Sequence, residues 1–185
     1  MTSSKRVADD AATRHIVFVG AMGTGKTTIG RRVAAALGRA FVDNDELLER
    51  TTGSTAAELA ARDGAAALHR VEETTLLDAL DGQPPAVIAA AASTIEEPKV
   101  RAALRHRAWV AWLRAAAPTL LARMPESVAR PFADADPARL VTERAQRRDG
   151  RYAEVADAEF WTDRARSDQV VSDVLAAVRR AGIDT

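Results

Sequence analysis

Residues 20–27 read Gly-Ala-Met-Gly-Thr-Gly-Lys-Thr and match the phosphate-binding loop pattern G-x-x-x-x-G-K-[ST] at every fixed position. Glycines at those positions let backbone N–H groups turn inward around a phosphate, and the N-terminus of a following helix adds partial positive charge. Gly23, Thr24, Gly25 and Thr28 would then surround the phosphates of ATP. The Lys26 ammonium would reach the β- and γ-phosphates, and the Thr27 hydroxyl would ligate Mg²⁺. A chance match in a glycine-rich turn is the bland alternative. The flanks argue against it, because an apolar run precedes the loop and a helical pattern follows it.

Such a loop specifies a nucleotide and leaves the reaction open. Asp43-Asn44-Asp45 follows the second strand candidate and so falls at the carboxyl edge of a parallel sheet, where open α/β folds bind ligands. Two carboxylates there can divide two tasks. Asp43 can hold Mg²⁺ through water, and Asp45 can accept a proton from an acceptor hydroxyl. Either one could instead only cap the helix that begins there.

The elements that must position these groups alternate along the chain. Strands are expected at 15–20, 39–43, 86–90, 108–114 and 158–162, from short apolar runs bounded by turn signals. Helices are expected at 26–37, 45–50, from Thr55 to Gly64, 65–80, 96–106, 118–124, 137–148 and 169–180. In the first of these, Ile29, Val33, Ala36 and Leu37 can share a face. Thr55-Ala-Ala-Glu58 fits a capping box. Residues 125–137 contain three prolines and no periodicity, which suits a mobile loop. The alternation predicts an α/β fold, a parallel sheet with helices on both faces in three layers.

Composition bounds the rest. The 185 residues suffice for one domain with a sizeable core, expected over 14–185 behind a weakly ordered tail at 1–13. Basic and acidic side chains balance at 26 each, so bulk attraction to nucleic acid or membrane is not expected. With no cysteine there is no disulfide and no thiolate chemistry. The first residues lack the apolar stretch of a secretory signal. A cytoplasmic monomer acting on a small-molecule hydroxyl acceptor is the expectation. Core packing is the expected role of Trp109, Trp112 and Trp161, all on strand candidates.

The phosphate loop, Asp43-Asn44-Asp45, Asp63-Gly64 with Glu72 downstream, Arg130-Pro131, and Arg148 before Tyr152-x-x-Val-Ala together resemble the shikimate kinase family over residues 15–180. That resemblance implies a P-loop kinase with a five-stranded parallel sheet, a substrate-binding helical region around 43–75 and a lid around 125–137. It implies transfer of the ATP γ-phosphoryl group, with Lys26, Asp45 and Arg130 as the catalytic residues. It puts Arg123 against adenine, Arg148 on the substrate carboxylate, and Glu72 behind a second carboxylate-binding arginine. The plain reading of any of these arginines is a solvated or ion-paired charge, since the chain is rich in arginine.

Two departures strike the acceptor side. The second arginine position is His69, and a neutral imidazole cannot offer a carboxylate the guanidinium fork. The family's run of three pocket-wall glycines falls on Ala91, Ala92 and Ser93, where side chains add volume and resist φ > 0. Residues 86–95, AVIAAAASTI, therefore read as a strand whose end turns into the pocket wall, although four alanines suggest helix by propensity. Another small cyclitol or polyol, without a carboxylate, is one acceptor that fits this pattern; shikimate itself fits with a rearranged pocket. A nucleotide-binding pseudokinase, or a nucleoside-monophosphate or gluconate kinase, are readings from other classes.

Overall fold

The computed structural model describes residues 14–123 and 137–183. Five parallel strands form one sheet in the order β2-β3-β1-β4-β5. They are β1 (His15–Val19), β2 (Phe41–Asp43), β3 (Val87–Ala89), β4 (Ala108–Arg114) and β5 (Ala158–Trp161). Helices α1 (Lys26–Leu37), α2 (Asn44–Thr52), α3 (Ala56–Asp63), α4 (Ala65–Asp81), α5 (Pro98–Arg107), α6 (Ala117–Arg123), α7 (Pro137–Val155) and α8 (Ser167–Arg180) connect them, with a 3-10 turn at Thr94–Glu96.

Residues of β1 alternate between two cores, as side chains of a strand must. Val17 and Val19 pack with Leu76 and Leu80 of α4, Val100 and Leu104 of α5, and Tyr152 of α7. Ile16 and Phe18 point the other way, onto Ile29 and Val33 of α1 and Val170, Val174 and Val178 of α8. The chain is therefore a three-layer α/β/α structure, and β1, buried on both faces, reads as a continuous apolar run.

Several boundaries differ from the sequence expectation, for identifiable reasons. The buried face of α1 uses Gly30 and Ala34 with Ile29 and Val33, and Ala36 is exposed. Strand β3 is short, yet its flanking Ala86 and Ala90 are buried too, so packing overrides the helix propensity of the alanine run. Glu96 closes the 3-10 turn, and Pro98 opens α5, where its missing N–H costs nothing. Helix α7 runs past the expected stop at Arg148 to Val155. Gly150 is tolerated on its exposed side, while Tyr152 and Val155 are drawn into the core. The capping box at Thr55 and Glu58 forms as expected, and Gly53 ends α2 with φ 69°.

Trp109 and Trp112 are buried. Trp161 is only half-buried. Its ring lies under the guanidinium of Arg164 at 3.9 Å, and its Nε1 donates to Glu159 at 2.8 Å. The residues expected to form a lid, 125–137, fall outside the described residues except for Pro137, which opens α7.

Candidate active site

The end of β1 leads into the phosphate loop, which takes positive φ at its glycines and is most crowded at the first of them. Gly20 has φ 140°, and a Cβ there would lie 2.3 Å from the carbonyl oxygen of Leu113. Gly25, the residue preceding α1, has φ 92° and brings the loop straight into the helix N-terminus. Thr24 is buried and donates its hydroxyl hydrogen to the carbonyl of Ala21 at 2.8 Å, which closes the loop from below.

Lys26 lies over the loop and donates to the carbonyls of Gly20 at 2.9 Å and Ala21 at 3.1 Å. Desolvation in the cleft pushes its pKa down to about 8, against the pull of the Asp45 and Asp43 carboxylates, and the charge of Arg148 adds to the lowering.

Thr27 donates its hydroxyl hydrogen to Oδ2 of Asp43 at 2.7 Å, and Oδ1 of Asp43 accepts from the backbone N–H of Asp45 at 3.0 Å. Asp43 is thus the N-cap of α2 and the partner of the phosphate-loop threonine at once, because each carboxylate oxygen does one job. The Asp45 side chain takes no part in the cap. It stands in the first turn of α2, on the cavity wall. Desolvation raises its pKa and the Asp43 carboxylate raises it further, with Lys26 opposing both.

These groups border one cavity of about 690 Å³. Its nucleotide end is built from Gly23, Gly25, Lys26, Thr27, Thr28 and Arg123. Arg123 at the end of α6 is held in place. Its Nη1 donates to the Gly23 carbonyl at 3.2 Å and the Thr162 hydroxyl at 3.0 Å, and its Nη2 donates to the Thr162 carbonyl at 3.0 Å. The other end is lined by Ala56, Ala57, Ala60 and Leu68 of the helical region, by the β3 edge from Ala89 to Ala92, and by Glu72.

The wall turn solves the alanine problem locally. Ser93 has φ −75° and ψ −30°, and among the described residues no side-chain-bearing residue has positive φ. The carbonyl of Ala91 accepts from Thr94, both from its N–H at 3.2 Å and from its hydroxyl at 2.7 Å. Ser93 donates its hydroxyl hydrogen to the Glu72 carboxylate. Glu72 is buried, which raises its pKa; the Ser93 bond and the charge of His69 work against that rise.

Of the residues expected at the site, the cavity brings together the phosphate loop, Asp43, Asp45, Glu72, Ala91, Ala92 and Arg123. Ser93 stands just behind the wall. His69 is exposed on α4 and Arg148 flanks the site on α7; neither borders the cavity, although both act by charge on Glu72. Arg130 lies outside the described residues. Three supporting residues escaped the sequence reading. Asn44 is buried and donates to the carbonyl of Glu72 at 3.3 Å, tying α2 to α4. Thr162 holds Arg123. Glu96 accepts from Arg148 at 2.6 Å. Asn44 had a signal, since it sits between the two aspartates; the other two join elements far apart in sequence and had none.

Residues 22–179 match the family model of shikimate kinase. The chain is 35% identical to the shikimate kinase of Symbiobacterium thermophilum over 91% of its own length and 98% of that protein. It is 34% identical to the shikimate kinase of Caulobacter vibrioides, over 95% of this chain and 88% of that one. The fold superposes on shikimate kinase from Acinetobacter baumannii in complex with shikimate with a TM-score of 0.84, at 27% identity, covering 94% of this chain and 97% of the other. With the sheet order, the phosphate loop and nearly the whole length accounted for, the chain belongs to the shikimate kinase family.

Proposed function

We propose that the protein transfers the γ-phosphoryl group of ATP to a hydroxyl of shikimate or a closely related small cyclitol. The observation that carries this reading is the juxtaposition of Lys26, Thr27, Asp43 and Asp45 at one cavity whose other end is walled by α3, α4 and the β3 edge. Family membership supports a kinase of this class and argues against nucleoside-monophosphate and gluconate kinases.

The residues divide the work by position. Backbone N–H groups of the loop and the N-terminus of α1 hold the phosphates. The Lys26 ammonium leaves its two loop carbonyls for the β- and γ-oxygens and balances charge as the phosphoryl group moves. The Thr27 hydroxyl and the Asp43 carboxylate, 2.7 Å apart, are hard oxygen donors of the kind that suit Mg²⁺ held partly through water. The metal supplies charge neutralisation on the phosphates. Asp45 orients the acceptor hydroxyl and takes its proton as the O–P bond forms. Its raised pKa makes it a better base than an ordinary aspartate. Arg123, fixed by Thr162, presents a flat cation on which the adenine ring stacks. Arg130 would clamp the transferring phosphoryl group from the lid.

A coupled assay of ADP release with saturating MgATP, with and without shikimate, tests the reading. Acceptor-dependent turnover that Lys26→Ala abolishes supports it. Nucleotide binding without turnover on shikimate or on a panel of cyclitols would overturn it in favour of a nucleotide-binding pseudokinase.

A further inference from the structure

Among the described residues, positive charge is scarce at the acceptor end of the cavity. Its wall is apolar at Ala57, Ala60, Leu68 and Ala91, and the ionisable groups on it are the carboxylates of Glu72 and Asp45. Arg148 is the described guanidinium whose charge reaches both Lys26 and Glu72.

That guanidinium is already engaged. Its Nε donates to Oε1 of Glu96 at 2.6 Å, its Nη2 lies 2.6 Å from the same oxygen as an ion pair, and Oε2 of Glu96 faces Arg151 at 4.0 Å. Glu96 ends the 3-10 turn that continues directly from the Ala91–Ala92–Ser93 wall, so its position is tied to the wall itself. Partial burial alone would raise the Glu96 pKa. The hydrogen bond and charge of Arg148, followed by the charges of Arg151 and His69, outweigh that and hold it below the ordinary glutamate value.

Two consequences follow. The Nε/Nη2 edge of Arg148, one of the two edges on which a guanidinium grips a carboxylate with paired bonds, is filled. The Arg148–Glu96 pair is also neutral as a unit, so among the described residues the charges of Glu72 and Asp45 are opposed mainly by Lys26, with His69 acting on Glu72 from outside the cavity. An acceptor with its own carboxylate has to displace Glu96 or approach without a free guanidinium among the described residues. A neutral acceptor meets neither obstacle. Electrostatic mismatch of this kind acts on partner choice more than on chemistry.

We propose that Glu96 is a specificity-determining residue: by occupying Arg148 it shifts the acceptor site away from anionic and toward uncharged hydroxyl compounds. This rests on the cavity being the acceptor site of a kinase.

The test compares the wild-type protein and the isosteric E96Q variant on two acceptors. One is shikimate; the other is its primary amide, which keeps the ring and hydroxyls and loses the charge. Glu96 is substantially exposed, and glutamine preserves its shape, so folding is not at stake. E96Q is expected to lower KM for shikimate roughly tenfold with kcat unchanged, while KM for the amide stays within about twofold. A rise in KM for shikimate would overturn the proposal, because it would mean that Glu96 aligns Arg148 for a carboxylate. An equal change with both acceptors would overturn it as well. If the wild-type protein phosphorylates neither compound, the kinase reading fails by itself. The Glu96 inference is then read from calorimetric titration of shikimate into the MgADP-loaded proteins, where tighter binding by E96Q supports it and equal or absent binding overturns it.

Discussion

Tyr152 donates its hydroxyl hydrogen to the carbonyl of Ala92 at 3.0 Å, joining the last turn of α7 to the wall of the acceptor cavity. The side chain is 1% exposed and its ring packs against Trp112 at 5.7 Å. Burial drives its pKa far above the ordinary tyrosine value, so the hydroxyl remains a donor throughout the working range. Tyr152→Phe keeps the ring and strands one carbonyl. It should cost about 1 kcal/mol, or roughly 3 °C in Tm, and raise KM for the acceptor more than KM for ATP. Thermal denaturation and two-substrate kinetics check this. An unchanged acceptor KM would mean that the wall does not depend on this bond.

Asp43 and Asp45 are separable by substitution. Asparagine caps helices as well as aspartate does, so Asp43→Asn should leave stability within about 0.5 kcal/mol. Its loss of charge beside Thr27 should still weaken Mg²⁺-dependent turnover, with partial recovery at raised Mg²⁺. Asp45→Asn should lower kcat by roughly 10²–10⁴-fold while MgADP affinity changes little. Single-turnover kinetics with parallel nucleotide binding distinguishes the two. Equal losses of kcat and affinity in Asp45→Asn would move Asp45 to the metal.

Lys26 gives the pH profile its alkaline side. Its pKa of about 8 in the free protein means that the ammonium loses its proton as pH rises through that value. kcat/KM for MgATP should therefore fall above about pH 8. Bound phosphates favour the charged form, so the limb in kcat should lie at higher pH. Asp45 sets the acid side, which should sit above the range of an ordinary aspartate because its pKa is raised. A kcat/KM profile flat to pH 9.5 would exclude a depressed Lys26.

His15 couples the fold to pH. It is buried in β1, and its Nδ1 accepts from the N–H of Ala86 at 3.1 Å, which requires a neutral ring there. Burial lowers its pKa from the ordinary value of 6.5. Because the unfolded chain binds the proton more readily, this contribution is complete above about pH 6.5 and is lost as pH falls toward the depressed folded value. Tm should decline between pH 7 and pH 5. His15→Asn, which keeps an acceptor and cannot titrate, should flatten that slope even if it lowers Tm overall. Equal slopes in both proteins would remove His15 from the account.

Much of this was already determined by the order of residues. The phosphate loop, its glycines and the start of α1 are local chain geometry, so Gly20 to Thr27 was legible without any partner. The strand and helix alternation specified the fold class, because burial on two faces or on one stripe leaves distinct apolar patterns. Tertiary structure decided what depends on neighbours remote in sequence. The alanine run became a strand edge and a turn because the sheet buried it. α7 ran through Gly150 because Tyr152 and Val155 had a core to enter. Asp43 caps α2 and also meets Thr27, since the two contacts use different oxygens of one carboxylate. Arg148 met Glu96 across 52 residues of chain, a pairing that no local pattern encodes. A side chain's type is written in the sequence, while the charge it presents to a ligand depends on which neighbour the fold has placed against it.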